Sequence, residues 1–273
     1  MELADIFEIN MELNKQLEFL YASRWKGICN ALQAIIDNRQ TVAKPSYPFL
    51  LSVTRWENGQ PDENWYADAD LKVMIFGQET NSGVGDCDDF GIPPSLVFNS
   101  SISVAAVMGI YENFYATYYH SDGFGYNCTG YGTFHYGVNR FMSLLNSYFS
   151  DKRVAYLWNN IVKIGKAEGA GFCGKEIYDV QKQHFMVIRK EVDILKPDLL
   201  LFLTGSYDDF ICDCWEGARF GALPSFASDE AAKVSLPELN TPAYRINHPS
   251  ARLPKEEKDA RMEVIVNDVI NKK

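Results

Sequence analysis

Basic charge is in short supply in this chain. Its 273 residues carry 26 Lys and Arg against 36 Asp and Glu, a formal net charge of −10. Nucleic-acid backbones are gripped by clustered Lys and Arg, so this balance excludes a broadly basic nucleic-acid-binding protein, though not a local basic patch. Long apolar runs are missing as well. None approaches ~18 residues, so no membrane-spanning helix is expected. The first ten residues, MELADIFEIN, lack the basic and apolar regions of a secretory leader. The six Cys (29, 87, 128, 173, 212 and 214) are scattered, and no CxxC pair occurs. Cys212 and Cys214, one residue apart, match neither a common zinc spacing nor a usual disulfide spacing. Free thiols in a reducing, cytoplasmic setting are therefore expected. No Gly-x-Ser-x-Gly occurs, which excludes a nucleophile elbow. No paired His motif is present, so no metal is expected.

Apolar residues are plentiful. Hydrophobic residues make up 47% and charged residues 23%, enough for a full core and against wholesale disorder. Aromatics reach 14%, with 15 Tyr and 17 Phe, and these suit a core or a stacking surface equally.

One stretch organises the rest: Leu71 to Ser82, LKVMIFGQETNS. Leu71 to Phe76 is mostly apolar, with β-branched Val73 and Ile75, as in a strand buried on both faces. It stops at Gly77 and runs at once into Gln78, Glu79, Thr80 and Asn81. Open α/β sheets present their ligand edge in this way, outside the carboxyl ends of parallel strands.

Around this strand, residues 2 to 37 read as a helix, with Leu13, Leu17, Leu20, Trp25, Ile28, Leu32 and Ile36 near helical spacing. Residues 45 to 70 read as an irregular connection or a short hairpin around Asn58-Gly59. Residues 82 to 137 form a Gly- and Tyr-rich excursion, with a helix possible over Val104 to Tyr119. A helix over Asn139 to Phe149 leads to a strand over Arg153 to Trp158, which ends at Asn159-Asn160. One long helix over Tyr178 to Leu195 precedes a strand over Asp198 to Leu203, which ends at Thr204-Gly205-Ser206-Tyr207. A loose loop then leads to a strand over Thr241 to Ile246, ending at Asn247-His248-Pro249-Ser250, and a helix over Leu253 to Ile270 closes the chain. This order predicts an α/β fold, three-layer α/β/α with a mostly parallel central sheet. A single domain over residues 1–273 is expected, with a helical lead-in over 1–45 and an insertion over 82–137.

The strand ends would gather Gln78, Glu79, Asn159, Asn160, Ser206, His248 and Ser250 on one sheet edge. Such a set suits hydrolysis assisted by electrostatics. A carboxylate can orient or deprotonate a water. An imidazole can donate to an atom that gains negative charge as a leaving group departs. An Asn amide offers both a donor and an acceptor to the edge of a base.

These residues resemble the motifs of the uracil-DNA glycosylase superfamily. There a first motif of the form GQDPYH follows a buried strand, a second segment reads LLLN, a third reads like LLWGSY, and the last reads HPS. Here Gly77-Gln78-Glu79 follows Met74-Ile75-Phe76, and Tyr156-Leu157-Trp158-Asn159 stands for the second. Leu201 to Tyr207, LFLTGSY, stands for the third, and His248-Pro249-Ser250 is the last motif unaltered. Order and approximate spacing agree across residues 71 to 270.

The resemblance implies a monofunctional DNA glycosylase that hydrolyses the N-glycosidic bond of a flipped-out uracil or other modified base. It places Glu79 as the water-positioning carboxylate and His248 as the stabiliser of the departing base. It assigns base binding to Gln78, to Asn159 and to an aromatic, for which Phe98 and Phe90 are the candidates. DNA contacts fall to Ser206, Ser250 and Arg252, with Arg252 or Leu253 able to fill the vacated stack. DNA is the expected partner, and a monomer the expected state. Some branches hold an iron–sulfur cluster on four Cys; only Cys29 precedes the first motif here, so no cofactor is expected.

The first motif departs from the family. Thr80, Asn81 and Ser82 replace Pro, Tyr and His, and the lost Tyr is the residue that walls off the thymine methyl. Glu79 is one methylene longer than the family's Asp, and a misplacement of about an ångström can cost ~10²-fold in rate. Two other readings stay open: a non-catalytic nucleic-acid or nucleotide-binding protein on the same fold, and a hydrolase of small N-glycosides. A basic patch built from Arg140, Lys163, Arg245 and Arg252 would favour nucleic acid.

Overall fold

The computed structural model describes residues 12–40, 43–57, 60–80, 98–120, 122–125, 130–167, 169 and 171–271. Its elements, in chain order, begin with α1 (Leu13–Asp37), β1 (Arg55–Glu57), β2 (Gln60–Asp62), α2 (Asn64–Ala67) and β3 (Leu71–Gly77). Then come α3 (Val104–Tyr118), β4 (Tyr119–His120), β5 (Gly123–Phe124), α4 (Phe134–Tyr148) and β6 (Val154–Asn160). Next are α5 (Lys175–His184), α6 (Ile188–Leu195), β7 (Leu199–Phe202) and α7 (Asp208–Cys214). The chain closes with β8 (Arg219–Ala222), β9 (Ala231–Ser235), β10 (Ala243–Ile246) and α8 (Lys255–Ile270). The chain divides into two compact units. The first comprises Met1–Asn64, Glu79–Thr117 and Val162–Lys196, and the second Trp65–Gln78, Tyr118–Ile161 and Pro197–Lys273.

The second unit contains the sheet. Its six strands run in the order β6-β3-β7-β10-β9-β8. β6, β3, β7 and β10 are parallel, and β9 and β8 add antiparallel. The mostly parallel α/β sheet expected from the sequence is therefore present. In register, Phe76 pairs with Asn159 on one side and Phe202 on the other, so the ends of β3, β6 and β7 lie side by side. The Phe76 and Phe202 rings stack at 4.6 Å, with Trp215 edge-on to both at 6.5 and 6.1 Å. Helix α4 starts five residues before the expected Asn139, because the Thr133 side chain caps it by accepting from the Tyr136 amide at 3.2 Å.

The loose loop expected after Tyr207 is ordered structure. It contains α7 and the β8–β9 hairpin that carries the sheet past β10. β8 reads Arg-Phe-Gly-Ala and is mostly exposed, so it has neither the apolar run nor the clean alternation that marks a strand. Pairing with β9 makes it a strand.

The first unit is mostly helical. Along α1 the buried stripe includes Leu17, Tyr21, Ile28, Leu32 and Ile35, and the helix packs on α5 and α6. The single helix expected over Tyr178 to Leu195 is two. Phe185, at φ −141°, leaves the helical range and turns a fully buried ring onto Tyr21 at 6.2 Å. Burying that ring outweighs the helical periodicity on either side. β1 and β2 pair antiparallel as the hairpin alternative predicted; Asn58 and Gly59 lie outside the described residues.

Lys163 and Glu191, both fully buried, form an ion pair at 2.8 Å in this unit. Tyr21 donates to Glu191 at 2.6 Å, and the Leu51 amide donates to the Tyr21 oxygen at 3.1 Å. Burial, then the Glu191 charge, raises the Tyr21 phenol well above its ordinary range, so it stays a protonated donor. Gln181 Oε1 accepts the amides of Lys163 and Ile164 at 2.8 and 3.1 Å. These bonds hold the irregular segment after β6 without regular structure of its own.

Candidate functional site

The carboxyl ends of the parallel strands converge in the second unit. Gln78, just past β3, donates through Nε2 to the Thr204 carbonyl past β7 at 2.8 Å. The Gly205 amide donates to Ile246 at the end of β10 at 3.0 Å. Gly205 lies at φ +59°, and a Cβ there would stand 3.2 Å from the His248 amide. That left-handed position is one glycine fills readily. Gly77 has the same importance at the end of β3. A Cβ on it would meet Asn160 Oδ1 at 2.7 Å and the Phe134 ring at 3.0 Å.

His248 is the chemical centre of this edge. Its Nδ1 accepts from the Ser250 backbone amide at 3.2 Å and lies 2.7 Å from Ser250 Oγ. A backbone amide can only donate, so the proton of the neutral ring sits on Nε2. Burial, then the charge of Lys258, lowers the imidazole pKa to about 4. The ring is therefore neutral at pH 7 and offers an Nε2–H donor. Lys258 is itself buried and donates to the Pro249 carbonyl at 2.6 Å, so it places positive charge beneath the His-Pro-Ser turn.

Aromatic rings line the same edge. Phe134 stands 6.1 Å from His248 with planes 21° apart, and 5.5 Å from Trp158. Buried His135 sits edge-on to Trp158 at 5.1 Å, and burial lowers its pKa to about 3. The Trp158 indole donates to Asn160 Oδ1 at 3.0 Å.

The expected site residues fall in several environments. Gln78, Ser206, His248, Ser250 and Arg252 belong to the second unit, with Ser206, Ser250 and Arg252 exposed. Asn159 is also there and fully buried. Its Nδ2 faces Met74 Sδ at 3.6 Å and its Oδ1 accepts the Asn160 amide at 2.8 Å. Side chains alternate along a strand, so Asn160, with Trp158, is the amide that faces Phe134 and Gly77. Glu79 and Phe98 belong to the first unit. Glu79 is buried, and its charge is the second cause, after burial, of a Cys173 thiol pushed up to about 12. The Thr80 carbonyl that follows Glu79 packs so closely on Gly165 that a Cβ there would stand 2.2 Å from it. Phe98 is buried against Tyr47 at 6.1 Å, and its amide donates to Pro45. Phe90, Asn81, Ser82, Cys87 and Cys128 lie outside the described residues.

Sequence reasoning passed over Phe134, His135 and Lys258. Phe134-His135 follows a Thr cap, a signal for the helix start and not for the site. Lys258 lies ten residues past His248, in the Lys-Glu-Glu-Lys opening turn of α8, where the sequence does not tell a buried lysine from a solvated one.

The four basic side chains proposed for a patch are mostly committed elsewhere. Arg140 pairs with Asp259 through two bonds of 3.0 and 3.1 Å. Lys163 belongs to the buried pair of the first unit. Arg245 is buried against Asp208 at 2.7 Å and the carbonyls of Ser228 and Asp229. Arg252 alone of these is exposed. Among the described residues, no group of three or more His, Cys, Asp and Glu could hold a metal ion, and no helix is long and apolar enough to cross a membrane. No family model and no curated protein sequence matches this chain.

The state of His248 is directly measurable. By NMR titration its imidazole is expected to stay neutral until about pH 4, and Lys258→Met is expected to move that midpoint upward by removing the opposing charge. The sign for stability follows. An unfolded histidine takes up its proton near pH 6.5, before the folded one does, so this contribution is full above pH 6.5 and is lost as the pH falls toward about 4. A midpoint near 6.5 would show that the half-buried His248 is not desolvated enough to lower its pKa.

Proposed function

We propose that this chain is a divergent member of the uracil-DNA glycosylase superfamily, with that family's three-layer arrangement, and that it cleaves a base from DNA by hydrolysis of the N-glycosidic bond. The observation that carries the reading is the His-Pro-Ser turn past β10, where a neutral His248 presents Nε2–H. In the proposed reaction the bond from the sugar C1′ to the base nitrogen breaks and the electron pair leaves with the base. His248 donates a hydrogen bond to the resulting anion and keeps its own proton. Water, whose orientation the resemblance assigns to Glu79, adds its oxygen to C1′; its O–H bond breaks, the proton passes to the carboxylate and on to solvent, and solvent protonates the released base anion. Lys258 adds a fixed positive charge beneath the turn.

The test is base release from single- and double-stranded oligonucleotides bearing uracil or another damaged base. His248→Ala is expected to lower the rate by ~10²–10³-fold, as loss of a donor aimed at developing charge does. Glu79→Gln is expected to lower it by ~10²-fold or more. No release above blank with any damaged base would sink the reading.

A second reading is a non-catalytic nucleic-acid or nucleotide-binding protein. It is favoured by the altered first motif, where Thr80, Asn81 and Ser82 replace Pro, Tyr and His; the internal pairing of Arg140, Lys163 and Arg245 removes the basic patch and favours a nucleotide over a long nucleic acid as its ligand. Ligand binding that Glu79→Gln leaves unchanged, with no turnover, would decide for it.

A further inference from the structure

Two stretches of the first unit, residues 19–36 of α1 and residues 180–190 across α5 and the start of α6, contain no Asp or Glu. Together they carry Arg24, Lys26, Lys182, His184, Arg189 and Lys190. α1 packs on both α5 and α6, so these residues gather positive potential at one junction. The net charge of −10 does not cancel it, because exposed charges beyond about 8 Å are screened at physiological salt.

A cavity of about 370 Å³ opens where the helices meet, lined by Ser23, Arg24 and Gly27 of α1 and by Gln183 and His184 of α5. That volume falls within the ~300–1,000 Å³ usual for small-molecule clefts. Gly27 leaves it clear: the nearest atom to a Cβ placed there is His184 Nδ1, at 3.8 Å. Ser23 spends its hydroxyl proton on the Leu20 carbonyl at 2.7 Å, so the side-chain donors left to the cavity are Arg24, Gln183 and His184. No carboxylate among the described residues pairs with Arg24 or His184.

A lining with one permanent cation, further donors and no acid suits an anion. The guanidinium of Arg24 offers a planar fork to two oxygens. Gln183 and His184 stand on the other helix and can meet a third oxygen out of that plane. A phosphoryl group has three such oxygens, and a carboxylate has two. We propose that this cavity binds small phosphate monoesters, with Arg24 on the phosphoryl group and Gln183 and His184 completing the donor set. The site lies in the first unit and is independent of the His248 edge and of the reaction proposed there.

Amide NMR of the full chain tests this, with phenyl phosphate as the probe and phenol and succinate as controls. Phenyl phosphate is expected to shift the Arg24, Gly27 and His184 amides saturably at about millimolar concentration. Phenol is expected to leave them unmoved, and succinate to bind about tenfold more weakly. Arg24→Ala is expected to weaken phenyl phosphate binding by about tenfold or more, the usual effect of losing a charge-assisted hydrogen bond. Gly27→Leu is expected to abolish it, because the side chain fills the cavity while every charge stays. Leucine also favours a helix over glycine, so this variant keeps the test valid if Arg24→Ala unfolds, and melting temperatures check both. No saturable shift of these amides, binding that either variant leaves unchanged, or succinate bound as tightly as phenyl phosphate overturns the proposal. Base release is read in its own assay and is expected to be the same in Gly27→Leu as in the parent.

Discussion

Replacing Lys163 by Met is expected to destabilise the protein by ~3–5 kcal/mol, the usual cost of removing one partner from a buried ion pair. Glu191 is fully buried and would keep the Tyr21 hydroxyl as donor but lose the cation 2.8 Å away. The same change removes a cation standing 5.4 Å from the Phe49 ring. Replacing both members, as Lys163→Met with Glu191→Leu, is expected to recover much of the loss, because no isolated charge then remains inside. Urea unfolding of both variants at neutral pH measures this. A single variant within about 1 kcal/mol of the parent would place the pair among contacts that contribute little.

Gly137→Ala is the second large effect. Gly137 lies inside α4, where alanine ordinarily gains up to about 1 kcal/mol over glycine. Here a Cβ would stand 2.2 Å from Pro249 Cγ and 2.8 Å from its Cβ. The proline ring cannot swing aside, so the helix or the His-Pro-Ser turn must move. A destabilisation of ~1–3 kcal/mol is expected from the overlap. If His248 acts as proposed, a displacement of about an ångström also costs ~10²-fold in base release. Gly109→Ala, inside α3 with no described atom within 4 Å of its Cβ, is the control and is expected to be neutral or stabilising. Thermal melts and the release assay on both variants check the pair. An unchanged Gly137→Ala protein would mean that the turn is not seated against α4.

Much of the scaffold was legible from apolar patterning. The strands near 71, 154, 199 and 243 are largely buried on both faces, so each reads as a mostly apolar run, broken only by Lys72, the terminal Asn159-Asn160 and Arg245. The helices over 13–37, 104–118 and 255–270 keep helical spacing. The pattern failed where a partner decides the structure. The β8–β9 hairpin carries little apolar signal and exists through pairing with β10. The break at Phe185 follows from a ring seated on Tyr21, more than 160 residues earlier in the chain.

The site was legible in its order and not in its orientation. A polar pair after a buried strand places amides at a sheet edge, but adjacent residues point to opposite faces. Only the sheet decides that Asn160 turns to Phe134 while Asn159 turns to Met74. The same holds for charge. The sequence counts Arg140 and Arg245 as basic residues near the edge, and Asp259 and Asp208 occupy them through long-range contacts. By itself the sequence determined the α/β class, the approximate places of the buried strands and the His-Pro-Ser segment, because burial on both faces and local turn chemistry are written in consecutive residues; β6 runs two residues further than expected, through Asn159 and Asn160. The tertiary structure alone decided which aromatic stands against His248, which proton its ring keeps and which cations remain exposed, because these depend on distances between residues far apart in the chain.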